Sequence, residues 1–149
     1  MRSTSSLRTI IFSVLFLVFI GAQSSRVLTM FGSNTNFFMA GLPALLMTVP
    51  RSAFVFLVIA GVVMLKTALV FEWASLALLL TALLIFLGRR FAPLHPALLN
   101  PVLSAAGVAG FYALTNRAMF SVRGALLTEL FIAAVLSFTL TLFTSYDRR

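Results

Sequence analysis

The sequence predicts an all-α membrane protein, a single bundle of six transmembrane helices with both termini on the cytoplasmic side. Three observations carry that expectation. Of 149 residues, 61% are hydrophobic and only 9% charged, with a mean hydropathy of +1.11, whereas about a quarter of the residues of a soluble domain are charged. The apolar residues come in continuous runs instead of alternating, which suits helices that satisfy their own backbone in lipid and not an open sheet, which cannot. Finally, the charged residues fall almost entirely between the runs.

Arg8 and Arg26 bracket the first run, "TIIFSVLFLVFIGAQSS", a span over 9–25. A second, over 36–50, contains "NFFMAGLPALLMTV" and is ended by Pro50 and Arg51. The third occupies 52–71, interrupted only by Lys66, and the fourth, "WASLALLLTALLIFLG", covers 73–88 before Arg89 and Arg90. The fifth and sixth run over 97–116 and 124–146, the sixth interrupted only by Glu129. Several runs fall short of the ~20 residues a perpendicular span needs, so interfacial residues must complete them. The connections are short, the longest being "RVLTMFGSNT", "RRFAPLHP" and "RAMFSVR". No water-soluble domain is expected on either side.

Six spans put both ends on one face. That face carries Arg2, Arg8, Arg51, Arg89, Arg90, Arg148 and Arg149, against Arg26, Arg117 and Arg123 on the other. Cytoplasmic loops collect Lys and Arg, so the bias places the termini inside the cell. Arg2, the first run and "GAQSS" also have the form of a secretory signal with a small-residue cleavage site, whose removal would leave five spans; an uncleaved first span is the commoner case in a polytopic protein. The net charge of +8 comes from Lys and Arg dispersed singly or in pairs. It marks orientation and does not predict nucleic-acid binding.

Pro43 within the second run and Pro101 in the fifth remove amide donors and should kink or reset their helices. In "SAAGVAG", Ser104 to Gly110, small residues are densest, and Ala106 and Gly110 stand four apart on one helix face. Ser104, Ala106, Gly107 and Gly110 are therefore expected to pack closely against a neighbouring helix of the same bundle.

Lys66 and Glu129 are the charges inside spans. Lys66 is fifteen residues past Arg51, about 22 Å up its helix, and Glu129 is six past Arg123, about 9 Å down from the outer boundary. Lys66 is also six before Glu72, so the two depths match. A lone charge in hydrocarbon costs several kcal/mol and faces a partner or a wet cavity. Lys66 is thus expected to pair with Glu129 as a structural lock, the alternative being an outward-facing ligand or proton site built on the same two residues. Glu72 then caps a helix near the outer surface, within reach of Arg117 or Arg123, and Trp73 and Tyr146 are interface anchors.

Other chemistry is poorly supplied. There is no cysteine, and the acids are Glu72, Glu129 and Asp147, too few for a carboxylate pair, metal cage or catalytic triad. His95, between two prolines in "FAPLHP", has no acidic or thiol neighbour and is expected to be solvated, not metal-bound. The sixteen phenylalanines, among them Phe37, Phe38, Phe54 and Phe56, are expected to fill the core or face lipid. No enzyme and no cofactor is expected.

The order of features resembles the MreD family of rod-shape-determining membrane proteins. A short tail and first span precede "TN" (Thr35, Asn36) at the opening of the second run, "VPR" (Val49 to Arg51) closes it, and "LGRRF" (Leu87 to Phe91) ends the fourth span before two more. The layout covers nearly the whole chain. Thr35 stands where the family has proline, and "LKTALVFEW" replaces its aspartate and glycine-containing turn. The resemblance implies a non-enzymatic scaffold of the bacterial inner membrane whose partners are an MreC-like single-span protein and the cell-wall elongation machinery. The layout is also similar to the S components of energy-coupling-factor transporters, which would imply a vitamin-sized ligand near Lys66 and Glu129. A third alternative is an accessory subunit of a larger membrane complex.

Overall fold

A computed structural model describes residues 2–24, 29–30, 33–34, 36–65 and 72–146. Six helices account for nearly all of them: α1 (Arg2–Ser24), α2 (Phe37–Thr48), α3 (Arg51–Leu65), α4 (Trp73–Phe91), α5 (Pro96–Thr115) and α6 (Arg123–Tyr146). A 3₁₀ turn, Arg117–Phe120, joins α5 to α6. The connection between α1 and α2 holds a short antiparallel pairing of β1 (Thr29–Met30) with β2 (Ser33–Asn34).

Among the described residues four stretches are long and apolar enough to cross a membrane: Leu7–Ser24, Trp73–Phe91, Pro96–Thr115 and Gly124–Thr144. They mark the chain as a membrane protein. The second expected span is shorter, 12 residues in α2, roughly 18 Å against a hydrocarbon core of about 30 Å, while the described part of the third, α3, has 15 residues. For α2 the reason is its position. Phe37 through Leu45 are all buried, and a helix that is apolar all round belongs in a core. Encased by protein, it meets no requirement to match the bilayer. The third expected span ended at residue 71; α3 ends at Leu65, and 66–71 lie outside the described residues. The fourth runs on past residue 88 through Arg89 and Arg90 to Phe91, because Arg89 finds polar partners inside the bundle. The first begins at Arg2, well before residue 9.

Local chemistry sets the helix ends. Asn36 caps α2, its Oδ1 accepting from Met39 N at 3.1 Å, while Gln23 Oε1 from the end of α1 accepts from Phe38 N at 3.0 Å. Two otherwise orphaned amides are thereby satisfied. Pro50 stops α2 by excluding its predecessor from helical geometry, and its carbonyl accepts from Phe54 N at 2.9 Å to start α3. His95, exposed in the turn after α4, caps α5 by accepting from Ala97 N at 3.3 Å.

Around α2 the other helices assemble. It contacts α1, α3, α4, α5 and α6, and α5 packs along both α4 and α6. The core gathers Phe16 and Ile20 of α1, Phe38, Met39, Leu42 and Leu45 of α2, Phe54 and Val58 of α3, Ile85 of α4 and Val108 of α5. Close approach depends on glycine, most clearly at Gly61 and Gly107. A Cβ on Gly61 would lie 2.8 Å from both Ile20 and Phe38, and one on Gly107 2.7 Å from Ile85. Phe37, Phe38 and Phe54 are buried, whereas Phe56 faces outward.

Candidate functional site

α5 and α6 run antiparallel, and every fourth residue along each meets the same partner helix. On α5 that row is Asn100, Ser104, Val108 and Tyr112; on α6 it is Thr141, Ser137, Ala133 and Glu129. Residues four apart share a helix face. The result is a polar seam inside an apolar bundle, with Asn100, Ser104, Ser137 and Thr141 all 0% exposed and Glu129 4% exposed.

One end of the seam is anchored by Arg89 in the last turn of α4, where the helix dipole favours a cation. Its Nη1 donates to Asn100 Oδ1 and approaches Pro43 O at 3.4 Å. Asn100 Nδ2 donates to Thr141 Oγ1 at 2.8 Å, and Thr141 Oγ1 donates to Ser137 O at 2.7 Å. The donors all point along one chain, an arrangement in which each bond polarises the next. Met47 Sδ accepts from Asn100 Nδ2 at 3.2 Å and from Thr144 Oγ1 at 3.7 Å, so α2 is tied in as well.

At the middle, Ser104 Oγ lies 3.1 Å from Met39 O and 3.3 Å from Ala133 O. The first contact has a local cause. Pro43 has no amide proton, so the carbonyl four residues earlier in α2, Met39, loses its intrahelical donor. Ser104 supplies one from the neighbouring helix. Its other contact is Ala133 O of α6, and Ser137 Oγ is the one buried side-chain polar atom among the described residues with no hydrogen-bond partner.

The far end holds Glu129. Tyr112 OH donates to its Oε2 at 2.6 Å, at the short end for an O–H···O bond. Lys66, expected as the partner of Glu129, lies outside the described residues. Nearby, Trp73 is 55% exposed and its Nε1 donates to Leu114 O at 2.8 Å, fastening the start of α4 to the end of α5. Glu72 occupies the N-cap position of α4, its backbone carbonyl accepting from Ser75 N at 3.0 Å while its side chain makes no capping bond. The backbones of Arg117 and Arg123 open the 3₁₀ turn and α6; their side chains lie outside the described residues.

The small-residue patch of α5 faces two ways. Ser104 enters the seam, while Gly107 lies against Ile85 of α4 and Gly110 faces Thr81, whose methyl would lie 3.5 Å from a Cβ placed there. Ala106, itself exposed, lines with Gly107 and Gly110 a shallow cleft of about 110 Å³ beside α4. Tyr112, Asn100, Thr141 and Arg89 were not singled out as site residues in the sequence. The signal that finds them is the four-residue spacing of polar positions in both runs, read together in antiparallel register. Among the described residues no three His, Cys, Asp or Glu side chains converge as a metal site would need.

A second feature is lateral. α1 packs on α2 and α3, and α6 on α2 and α5, leaving a groove between α1 and α6 with α2 as its floor. It comprises two adjoining chambers of about 200 and 610 Å³ that share Phe12, Leu15, Phe19, Leu140 and Phe143.

Comparison with protein-family models, with curated proteins and with solved structures gives no match to this chain.

Proposed function

We propose that the chain is a non-enzymatic scaffold subunit of the bacterial cytoplasmic membrane, similar in role to MreD, acting in cell shape and cell-wall elongation. In this proposal all six helices enter the bilayer, both termini are cytoplasmic, and the partners are an MreC-like single-span protein and the elongation enzymes. The observation that carries it is the direction of the interior hydrogen bonds. Arg89, Asn100, Ser104, Tyr112, Glu129 and Thr141 bond to one another or to backbone carbonyls of α2 and α6, which is how polar groups act when they hold helices together. A small-molecule binder such as an S component directs a few polar groups into a shared cavity; here the two chambers between α1 and α6 are lined by apolar side chains apart from Arg8 and Thr139.

The test is affinity purification of the tagged chain from its native membrane in mild detergent, with mass spectrometry of co-purifying proteins and small molecules. Recovery of a single-span coiled-coil protein together with cell-wall synthases is the expected result. A stoichiometric vitamin-sized molecule, or an ATPase pair with a transmembrane coupling subunit, would overturn the scaffold reading in favour of a transporter subunit.

A further inference from the structure

The start of α3 and the end of α4 meet at one corner of the bundle, and that corner is basic. Phe54 and Phe86 stack there with ring centroids 6.1 Å apart. Arg51 lies three residues before Phe54 and Arg90 four after Phe86, and residues so spaced share a helix face. The two arginines therefore leave neighbouring helices side by side, about one interhelical spacing of 8–10 Å apart, and both are exposed. Arg89, the third cation of the corner, turns inward to Asn100. Among the described residues the acids are Glu72 and Glu129. Glu72 precedes Arg90 by eighteen residues, about 27 Å along α4, and Glu129 lies at the far end of the α5–α6 seam from Arg89. The guanidinium of Arg90 stands 5.9 Å from the centre of the exposed Phe91 ring. A ring face takes up charge without accepting a conventional hydrogen bond, so the fork of N–H donors still lacks an oxygen acceptor among the described residues.

Helix α4 is long and apolar enough to cross a membrane, and Arg90 stands in its last turn, where such a helix passes from hydrocarbon into the headgroup layer. Leu87 and Leu83, three and seven residues before Arg90, are exposed, as is Val55, four after Arg51. Apolar side chains thus continue from both arginines along the lipid-facing side of the α3–α4 pair. Two cations above an apolar strip are complementary to a phosphate joined to an acyl chain. Arginine recognises phosphate oxygens through its planar fork of donors, and basic pockets between transmembrane helices are sites for anionic headgroups. An acidic protein segment could meet the charges, but the strip beneath them lies at hydrocarbon depth, where such a segment cannot follow. We infer that the α3–α4 corner binds an anionic phospholipid, its phosphate held between Arg51 and Arg90 and an acyl chain lying along Leu87 and Leu83. The site requires only that α4 crosses the bilayer, and it stands whether or not the chain is a scaffold.

Trp73 is the sole tryptophan, which permits a direct test. In a Trp73→Phe background, tryptophan is placed beside the corner by Leu87→Trp. A control is placed on α6 by Leu142→Trp, at an exposed position of similar depth next to the Thr141 that Asn100 bonds. Each protein is reconstituted in phosphatidylcholine vesicles, dibrominated phosphatidylglycerol or dibrominated phosphatidylcholine is titrated in, and fluorescence quenching is followed. The corner reporter is expected to prefer the glycerol headgroup. Arg51→Gln and Arg90→Gln should each lower that preference about fivefold, the effect of one basic residue near an anionic surface, and the two together should abolish it. Quenching at Leu142→Trp should be the same in all forms, which also shows that the variants are folded. Equal quenching by the two lipids at Leu87→Trp, or a preference that survives the double replacement, overturns the assignment. A preference of equal size at both reporters does so too, because it marks a diffuse charge on the whole face. So does a preference displaced by millimolar glycerol phosphate, which would make the corner a site for a soluble phosphate ester.

Discussion

Glu129 and Arg89 stand at opposite ends of the α5–α6 seam, and each brings an ionisable side chain into a mostly apolar bundle. Arg89 places its guanidinium at a helix C-terminus and bonds the amide of Asn100, whereas Glu129 receives the phenol of Tyr112 at 2.6 Å. Asn100→Leu removes the acceptor of a charge-assisted bond and should cost about 1.5–3 kcal/mol. A clear fall in the midpoint of thermal unfolding in detergent is the expected readout, and an unchanged midpoint would show that Arg89 is equally well served elsewhere. Tyr112→Phe removes one hydroxyl and should cost less, about 0.6 kcal/mol and at most about 1.7, the mean and the maximum found for hydrogen bonds between membrane helices. In a double-mutant cycle with Glu129→Gln the two changes should be non-additive; additive losses would show that the pair is adjacent without being coupled. That Glu129 needs a partner was legible in the sequence, since a carboxylate inside an apolar run is costly wherever it lies. That Tyr112 is among its partners was not, because that depends on how α5 and α6 are aligned; Lys66, the partner expected from matching depths, lies outside the described residues.

Among the elements, α2 shows how one local defect is repaired by a neighbour. Proline in a helix interior frees a carbonyl, here Met39 O, and Ser104 of α5 bonds it at 3.1 Å. This gives a signed prediction. Ser104→Ala should destabilise the protein by about 1 kcal/mol, and the same substitution should cost measurably less in a Pro43→Ala background, where residue 43 regains an amide proton for Met39 O. Equal costs in the two backgrounds would mean that Ser104 acts through Ala133 O alone. The proline and the small-residue patch were both visible in the sequence, but nothing in one dimension connects residue 43 to residue 104. Helix α4 shows the converse limit. Charge alone suggested an end at residue 88, yet the helix continues to Phe91 because Arg89 turns inward to a polar partner.

For the whole molecule, the proposed orientation predicts that Ser121, exposed between the 3₁₀ turn and α6, lies on the outer face and His95 on the inner. In this naturally cysteine-free chain, Ser121→Cys should react with a membrane-impermeant maleimide in intact cells, and His95→Cys only after permeabilisation. The opposite pattern would invert the topology. Composition by itself determined that the chain is a helical membrane protein, since so few charges cannot clothe a soluble surface. It also determined where most helices lie, because apolar runs bounded by Arg, Pro and Gly leave little choice. Only the tertiary structure decided that the second run is a buried central helix instead of a lipid-facing span, that Asn100, Ser104, Tyr112, Glu129 and Thr141 form one seam, and that α1 stands off from α6 to leave a groove. The reason is physical. Lipid and protein interior are equally apolar, so hydropathy cannot tell a face that meets lipid from one that meets another helix, and that distinction is made by register, by small residues at close crossings and by the pairing of polar groups.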